Sequence, residues 1–213
     1  MLPEVAEPLV TGIVLAGGQS RRLGTNKAVV EVGGVPLIKR VVAHLRQLSD
    51  DLVIVTNEPE PYRGLGGRLV SDEWPGMGSL GGIYSGLRAA RHERGLVVAC
   101  DMPFLNPRLL RLMVELSRDY DVVMPRLADG RMEPLHAVYG QACLGPMEAQ
   151  LRQGDLRIVD ILPHLRVRFL EQGELDALDP EHLSLFNVNT RQDLERARAL
   201  ATDAGEQAGL RKA

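Results

Sequence analysis

Short, unbroken apolar runs separated by stretches with helical spacing constrain this chain more than any other feature. Val10–Leu15 (VTGIVL), Leu52–Thr56 (LVIVT) and Leu96–Cys100 (LVVAC) read as strands. Apolar and polar residues do not alternate in them, so both faces of each strand must be covered. That pattern belongs to a parallel or mostly parallel sheet with helices on both sides. Pro36 opens a helical stretch with Leu37, Ile38, Val41, Val42, Leu45 and Leu48 on one stripe. Leu80–Arg91 and Pro107–Arg118 read as further helices, and Arg68–Ser71 and Val122–Met124 as short strands. The chain has 213 residues, enough for one domain with a full core. The expected fold is a three-layer α/β/α sandwich with a mainly parallel sheet, in a single domain over residues 1–201.

After Pro125 the rhythm changes. Asp129-Gly130 marks a turn, and Pro134–Tyr139 is expected to be an antiparallel strand. Cys143–Gln153 and Arg157–Pro163 look helical, Arg166–Leu170 alternates like a strand, and Phe186–Asn189 should be extended. Thr190 is placed to cap a helix from Arg191 to about Ala201. Gly and charge dominate from Thr202 on, which predicts a disordered tail over 202–213.

The formal net charge is -3. No basic stripe is present, so a nucleic-acid partner is not expected. A phosphate-rich ligand must then be met by local cations. Cys100 and Cys143 have no metal-ligand spacing, Cys100 reads as a buried small residue, and a reducing compartment fits both. Met1 to Pro8 is acidic and contains proline, so no leader is expected there. The apolar runs are too short to span a bilayer. These points predict a cytoplasmic protein without membrane contact.

The first strand leads directly into Leu15-Ala16-Gly17-Gly18-Gln19-Ser20-Arg21-Arg22-Leu23-Gly24-Thr25-Asn26-Lys27. Paired glycines let the backbone turn sharply and approach a ligand closely. Successive N–H groups in such a turn form a nest for an anion, and Arg21, Arg22 and Lys27 add the charge that a triphosphate needs. The loop lacks the Gly-Lys-Ser/Thr of a P-loop and does not fit Gly-x-Gly-x-x-Gly. Asp101 ends LVVAC and precedes Met102-Pro103. A carboxylate at the end of a buried strand has little packing reason to be there, and it suits Mg²⁺ as a hard oxygen ligand. Asn57 follows LVIVT at the edge where α/β sheets bind ligands, with an amide suited to reading a base. Asp72 ends Arg68–Ser71 and precedes a glycine-rich run through Gly82. The glycines at 78, 81 and 82 suit either close approach to a ligand or tight helix packing.

The loop resembles the L-A-G-G-x-x-x-R-M-G-x-D-K signature of the molybdenum-cofactor guanylyltransferase family, with Leu23 in place of Met and Asn26 in place of Asp. Related cytidylyltransferases acting on the same pterin carry L-A-A-G, whereas this chain has Gly17. Cys100-Asp101-Met102-Pro103 is similar to the family's C-D-x-P. Glu133-Pro134-Leu135-His136 through Tyr139 is similar to its acceptor-side segment, although some members have His where this chain has Glu133. Asn187-Val188-Asn189-Thr190 with Asp193-Leu194 resembles N-V-N-T-P-x-[DE]-L, with Arg191 replacing Pro.

The resemblance implies a Rossmann-like fold of the nucleotide-diphosphosugar-transferase type. It implies transfer of GMP from GTP to the terminal phosphate of molybdopterin, with Mg²⁺ and release of pyrophosphate. Leu15, Ala16, Gly17, Gly18, Lys27, Asn57, Asp72 and Asp101 then form the GTP site, with Lys27, Arg22 and Asp101 carrying the chemistry. Asp101 holds the metal, and Asn187 and Asn189 lie on the pterin side. Transient contacts with other proteins of cofactor biosynthesis or molybdoenzyme maturation would follow. Two alternatives stay open: a nucleotidyltransferase using CTP or a sugar- or polyol-phosphate acceptor, and a non-catalytic GTP-binding regulatory protein.

Overall fold

A computed structural model of the protein describes residues 10–17 and 29–210, with side chains described through residue 202. The strands and helices run in the order β1 (Thr11–Leu15), β2 (Glu31–Val32), β3 (Val35–Pro36), α1 (Leu37–Leu45), β4 (Asp51–Val55), β5 (Arg68–Val70) and α2 (Gly78–Ala89). They continue with β6 (Arg94–Ala99), α3 (Pro107–Leu116), β7 (Val122–Pro125), β8 (His136–Gly140), α4 (Leu144–Gln153), β9 (Val167–Leu170), α5 (Gln172–Leu178) and α6 (Arg191–Leu210). Seven strands form one sheet in the order β5-β4-β1-β6-β8-β7-β9. β8 runs against both neighbours, and the other pairings are parallel.

The unbroken apolar strands have the consequence expected of them. Val14, Ile54, Leu96 and Val98 pack on one face with Ile38 and Val41 of α1 and Leu109 and Met113 of α3. Their neighbours Ile13, Val53, Val55 and Val97 pack on the other face with Ile83 and Leu87 of α2 and Met147 and Leu151 of α4. Each fully buried side chain of this kind stabilises the fold by roughly 1.5–3 kcal/mol. The result is the three-layer α/β/α sandwich.

Some elements differ from the sequence reading. The β2–β3 hairpin is absent from that reading, although Gly33 and Gly34 supply its turn with φ of 58° and 71°. Two successive positive φ values are what a two-residue hairpin turn requires. Helix α5 is also additional. It begins at a reciprocal cap in which the Glu171 and Glu174 side chains each accept from the other residue's backbone N–H. Phe186–Asn189 agrees with that reading: it leaves the preceding turn with Phe186 extended and is tied to the sheet by the Val188 N–H donating to the Asp101 carbonyl at 2.9 Å. The last helix does not end near Ala201 but continues to Leu210. Gly205 and Gly209 each cost a helix about 1 kcal/mol relative to Ala, and neither ends it. Cys100 is half-buried rather than buried. Among the described residues no helix is long and apolar enough to cross a membrane.

Candidate functional site

The two edges of the sheet are built differently. At the amino edge, Asp51 is 3% exposed and closed in on every side. Thr11 Oγ1 donates to it at 2.8 Å, the Arg91 N–H at 3.0 Å, and the Arg68 guanidinium at 2.8–3.0 Å onto both oxygens. Burial would push the Asp51 carboxyl up. The Arg91 N–H, the Thr11 hydroxyl and Arg68 outweigh it and hold the group below its ordinary value. This edge is a fastening.

At the carboxyl edge the strand ends release polar chain into the open. Leu15 and Ala16 are buried at the root of the glycine-rich loop, and Gly17 is exposed. The Cys100 N–H donates to the Leu15 carbonyl at 3.1 Å and the Ala16 N–H to Val55 at 2.9 Å, so β1, β4 and β6 are joined where they end. A Cβ added at Gly17 would meet nothing within 4 Å. Gly18, Arg22 and Lys27 lie outside the described residues.

Asn57 and Asp72 are brought together. The Asn57 Oδ1 accepts from the Asp72 N–H at 2.9 Å, which leaves the amide nitrogen of Asn57 as the donor toward solvent. Asp72 Oδ1 accepts from the Trp74 N–H at 2.9 Å and the Ser85 hydroxyl at 3.1 Å. That oxygen thus shapes the entry to α2. Gly81 belongs to the same turn: a Cβ there would sit 2.9 Å from the Trp74 carbonyl and 3.1 Å from Asp72. Tight packing explains Gly81. At Gly82 a Cβ would come within 3.4 Å of Leu15, an ordinary contact.

Asp101 lies just past β6, and its carbonyl holds Val188. Val188 is buried in a third small core with Val32, Leu37, Leu194 and Ala197, while Asn187 is half-buried and Asn189 exposed. Asn187 donates to the Leu185 carbonyl at 3.2 Å. The Asn189 and Thr190 N–H groups donate to Asp193 at 3.0 and 2.8 Å, and the Asp193 N–H returns to Thr190 Oγ1 at 3.1 Å, which caps α6. Phe186 precedes this segment, 6.1 Å from Phe104 and with Arg196 over its ring at 5.3 Å.

Glu133 enters the sequence reading only as a departure from the family pattern, and the fold brings it to the site. β6 and β8 pair Val98 with His136, and the Ala99 N–H donates to the Leu135 carbonyl at 3.1 Å, which carries the pairing past the strand ends. Beyond Leu135 the chain turns, with the His136 N–H donating to the Glu133 carbonyl at 3.1 Å, and this turn brings the Glu133 carboxyl within range of the Asp101 charge. Burial raises the Glu133 carboxyl above its ordinary value; the charge of Asp101 adds to this, and the Leu135 N–H and Arg131 oppose it. Two nearby carboxylates repel each other, and a cation held by both would relieve that repulsion. The donor set, hard oxygens next to the root of the glycine-rich loop, fits Mg²⁺. Sequence reading has no access to this pair because the residues are 32 positions apart and only the folding of β8 beside β6 brings the Glu133 turn near Asp101.

His136 is fully buried in β8, facing the Ser184 hydroxyl at 3.5 Å, rather than half-buried as a strand histidine at a sheet edge would be. Burial holds its imidazole down to about 4, so it is neutral and belongs to the core.

Residues 12–167 match the MobA-like NTP transferase domain family. A molybdenum cofactor guanylyltransferase from Desulfosudis oleivorans is 43% identical over 192 residues, covering 89% of this chain and 95% of that protein. A probable molybdenum cofactor guanylyltransferase from Pelotomaculum thermopropionicum is 41% identical over 194 residues, covering 91% and 94%. The crystal structure of molybdopterin-guanine dinucleotide biosynthesis protein A from Archaeoglobus fulgidus superposes with a TM-score of 0.78 at 29% identity, covering 91% of this chain and 100% of that one. Likeness over nearly the whole length, in sequence and in fold alike, makes the chain a nucleotidyltransferase that belongs to the MobA-like NTP transferase family.

Proposed function

We propose that this enzyme transfers GMP from GTP to the terminal phosphate of molybdopterin. An oxygen of the acceptor phosphate attacks the α-phosphorus of GTP. A new P–O bond forms, the bond to the bridging oxygen breaks, and pyrophosphate leaves with that electron pair. A phosphate is already a competent nucleophile, so the protein's task is alignment and charge neutralisation. The observation that carries this reading is the position of Asp101. Its strand end is hydrogen-bonded to the loop root through Leu15, and its own carbonyl holds the Asn187–Asn189 segment. These bonds support a role for Asp101 between the nucleotide and the acceptor.

On the nucleotide side, the Gly17 and Gly18 amides cradle phosphate, and Lys27 and Arg22 neutralise it. The Asn57 amide nitrogen donates to a base acceptor such as the guanine O6. Asp72 holds Asn57 in place through its backbone N–H. On the acceptor side, Asn187 and Asn189 offer amides to the pterin. Asp101, with Glu133 near it, would hold Mg²⁺. When bound, that ion neutralises charge on the phosphate oxygens and the leaving pyrophosphate. The setting is the cytoplasm, with transient contacts to proteins of cofactor biosynthesis or molybdoenzyme maturation, and without nucleic acid or membrane.

The test supplies the full chain with each labelled NTP and a panel of acceptors: molybdopterin, a sugar phosphate and a polyol phosphate. Pyrophosphate release and a guanylylated pterin are expected with GTP and molybdopterin. Equal or better turnover of CTP or another acceptor, or GTP binding without turnover, would replace this reading by one of the two alternatives.

A further inference from the structure

Tyr62 is 2% exposed, and its hydroxyl donates to the Ala16 carbonyl at 3.0 Å. It ends a short 3-10 turn, Glu60–Tyr62, that begins three residues after Asn57. Its ring belongs to the core on the α1–α3 face of the sheet, which also holds Val14, Ala16, Ile38 and Val41. A phenylalanine would fill that space as well. The hydroxyl adds to the packing a bond that reaches the last buried residue before the glycine-rich loop.

The Ala16 carbonyl and the Gly17 N–H belong to one peptide unit. That unit is planar and trans, so the two groups point in opposite directions. Fixing the carbonyl on Tyr62 therefore turns the Gly17 N–H away from the α1–α3 face. It faces outward where Gly17 is exposed and where a Cβ would meet open space. Without the phenol this peptide could rotate, because Gly17 has the widest backbone freedom of any residue. The Ala16 N–H bond to Val55 restrains only the preceding peptide.

We propose that Tyr62 is a positioning residue that aims the Gly17 amide at the phosphates of the bound nucleotide. It does so from a turn that begins three residues after Asn57, so the base-reading and phosphate-reading parts lie on one short segment after β4. This inference rests on the GTP reading above and deepens it.

The experiment compares wild type with Tyr62→Phe as full chains. GTP binding is measured by calorimetry, guanosine binding by saturation-transfer NMR, and the Gly17 amide by its ¹⁵N–¹H shift. Loss of one neutral hydrogen bond should weaken GTP roughly three- to tenfold. Guanosine binding should stay unchanged, the Gly17 amide resonance should move, and the unfolding temperature should shift only slightly. A merely structural tyrosine would lower the unfolding temperature without separating the two ligands. Equal GTP affinity in both proteins, or equal weakening of GTP and guanosine, would overturn the proposal. Failure of the wild type to bind GTP would instead overturn the functional reading, so the two failures are distinguishable.

Discussion

At the scale of single residues, the neighbouring carboxylates Asp101 and Glu133 separate function from stability. Asp101→Asn keeps the shape and removes one ligand charge. Guanylyl transfer should fall by about 10²–10³, the range for losing one preorganised electrostatic contact, while circular dichroism stays unchanged. Glu133→Gln removes the opposing charge from the turn that leads into β8. Mn²⁺ binding in the presence of GTP, followed by electron paramagnetic resonance, should weaken in both variants. Glu133→Gln should nevertheless unfold at the same or a higher temperature, because a like-charge contact is relieved. Undiminished Mn²⁺ affinity in both variants would remove this pair from the metal site. Gly17 offers a second residue-scale test. A Cβ there meets open space, so Gly17→Ala should fold normally. Any effect then comes from the ligand: kcat/KM for GTP should fall more than for CTP, by about 1–3 kcal/mol. An unchanged GTP/CTP ratio would take Gly17 out of base selection.

At the scale of elements, the sheet is fastened at one edge and released at the other. Asp51 ties β1, β4, β5 and the turn after α2 through Thr11, Arg68 and Arg91. Asp51→Ala leaves the Arg68 charge without its partner at the mouth of a buried site. Because Arg68 is itself partly exposed, the loss should be roughly 2–3 kcal/mol rather than the full cost of a buried pair. Urea unfolding would measure it, and activity per folded molecule should be unaffected since the site lies at the opposite edge. The main parallel strands and α1 to α4 were legible in the sequence because covered strands and amphipathic helices leave a periodic mark. The β2–β3 hairpin and α5 also left signals, Gly33-Gly34 and Glu171 with Glu174. Two-residue strands and a seven-residue helix are too short for periodicity to register, so turn and cap chemistry alone announced them.

At the scale of the whole molecule, the buried His136 links stability to pH. Its imidazole lies near 4 in the fold against an ordinary value of 6.5. Above 6.5 the group is neutral in both states and costs nothing. As pH falls from 6.5 toward 4, the unfolded chain takes up a proton that the folded chain does not, so stability falls; below about 4 both states carry it and the loss stops growing. The full loss is about 3 kcal/mol. Urea unfolding at about pH 7.5 and about pH 5 should show about 2 kcal/mol of it, and His136→Gln should flatten the difference. A variant with the same pH slope as wild type would assign the effect to other groups.

The sequence by itself determined which residues can be inside and which chemistries are at hand. Apolar runs without alternation require two covered faces, and a glycine-rich, basic loop after a strand suits phosphate. These are local properties, written in neighbouring residues. Tertiary structure decided which of the distant polar groups meet. Asn57 is turned by Asp72, Ala16 is held by Tyr62, and Asp101 comes near Glu133 because the turn before β8 packs beside the end of β6. Strand direction and register depend on how the whole chain covers its apolar surface, so no single stretch of sequence encodes them.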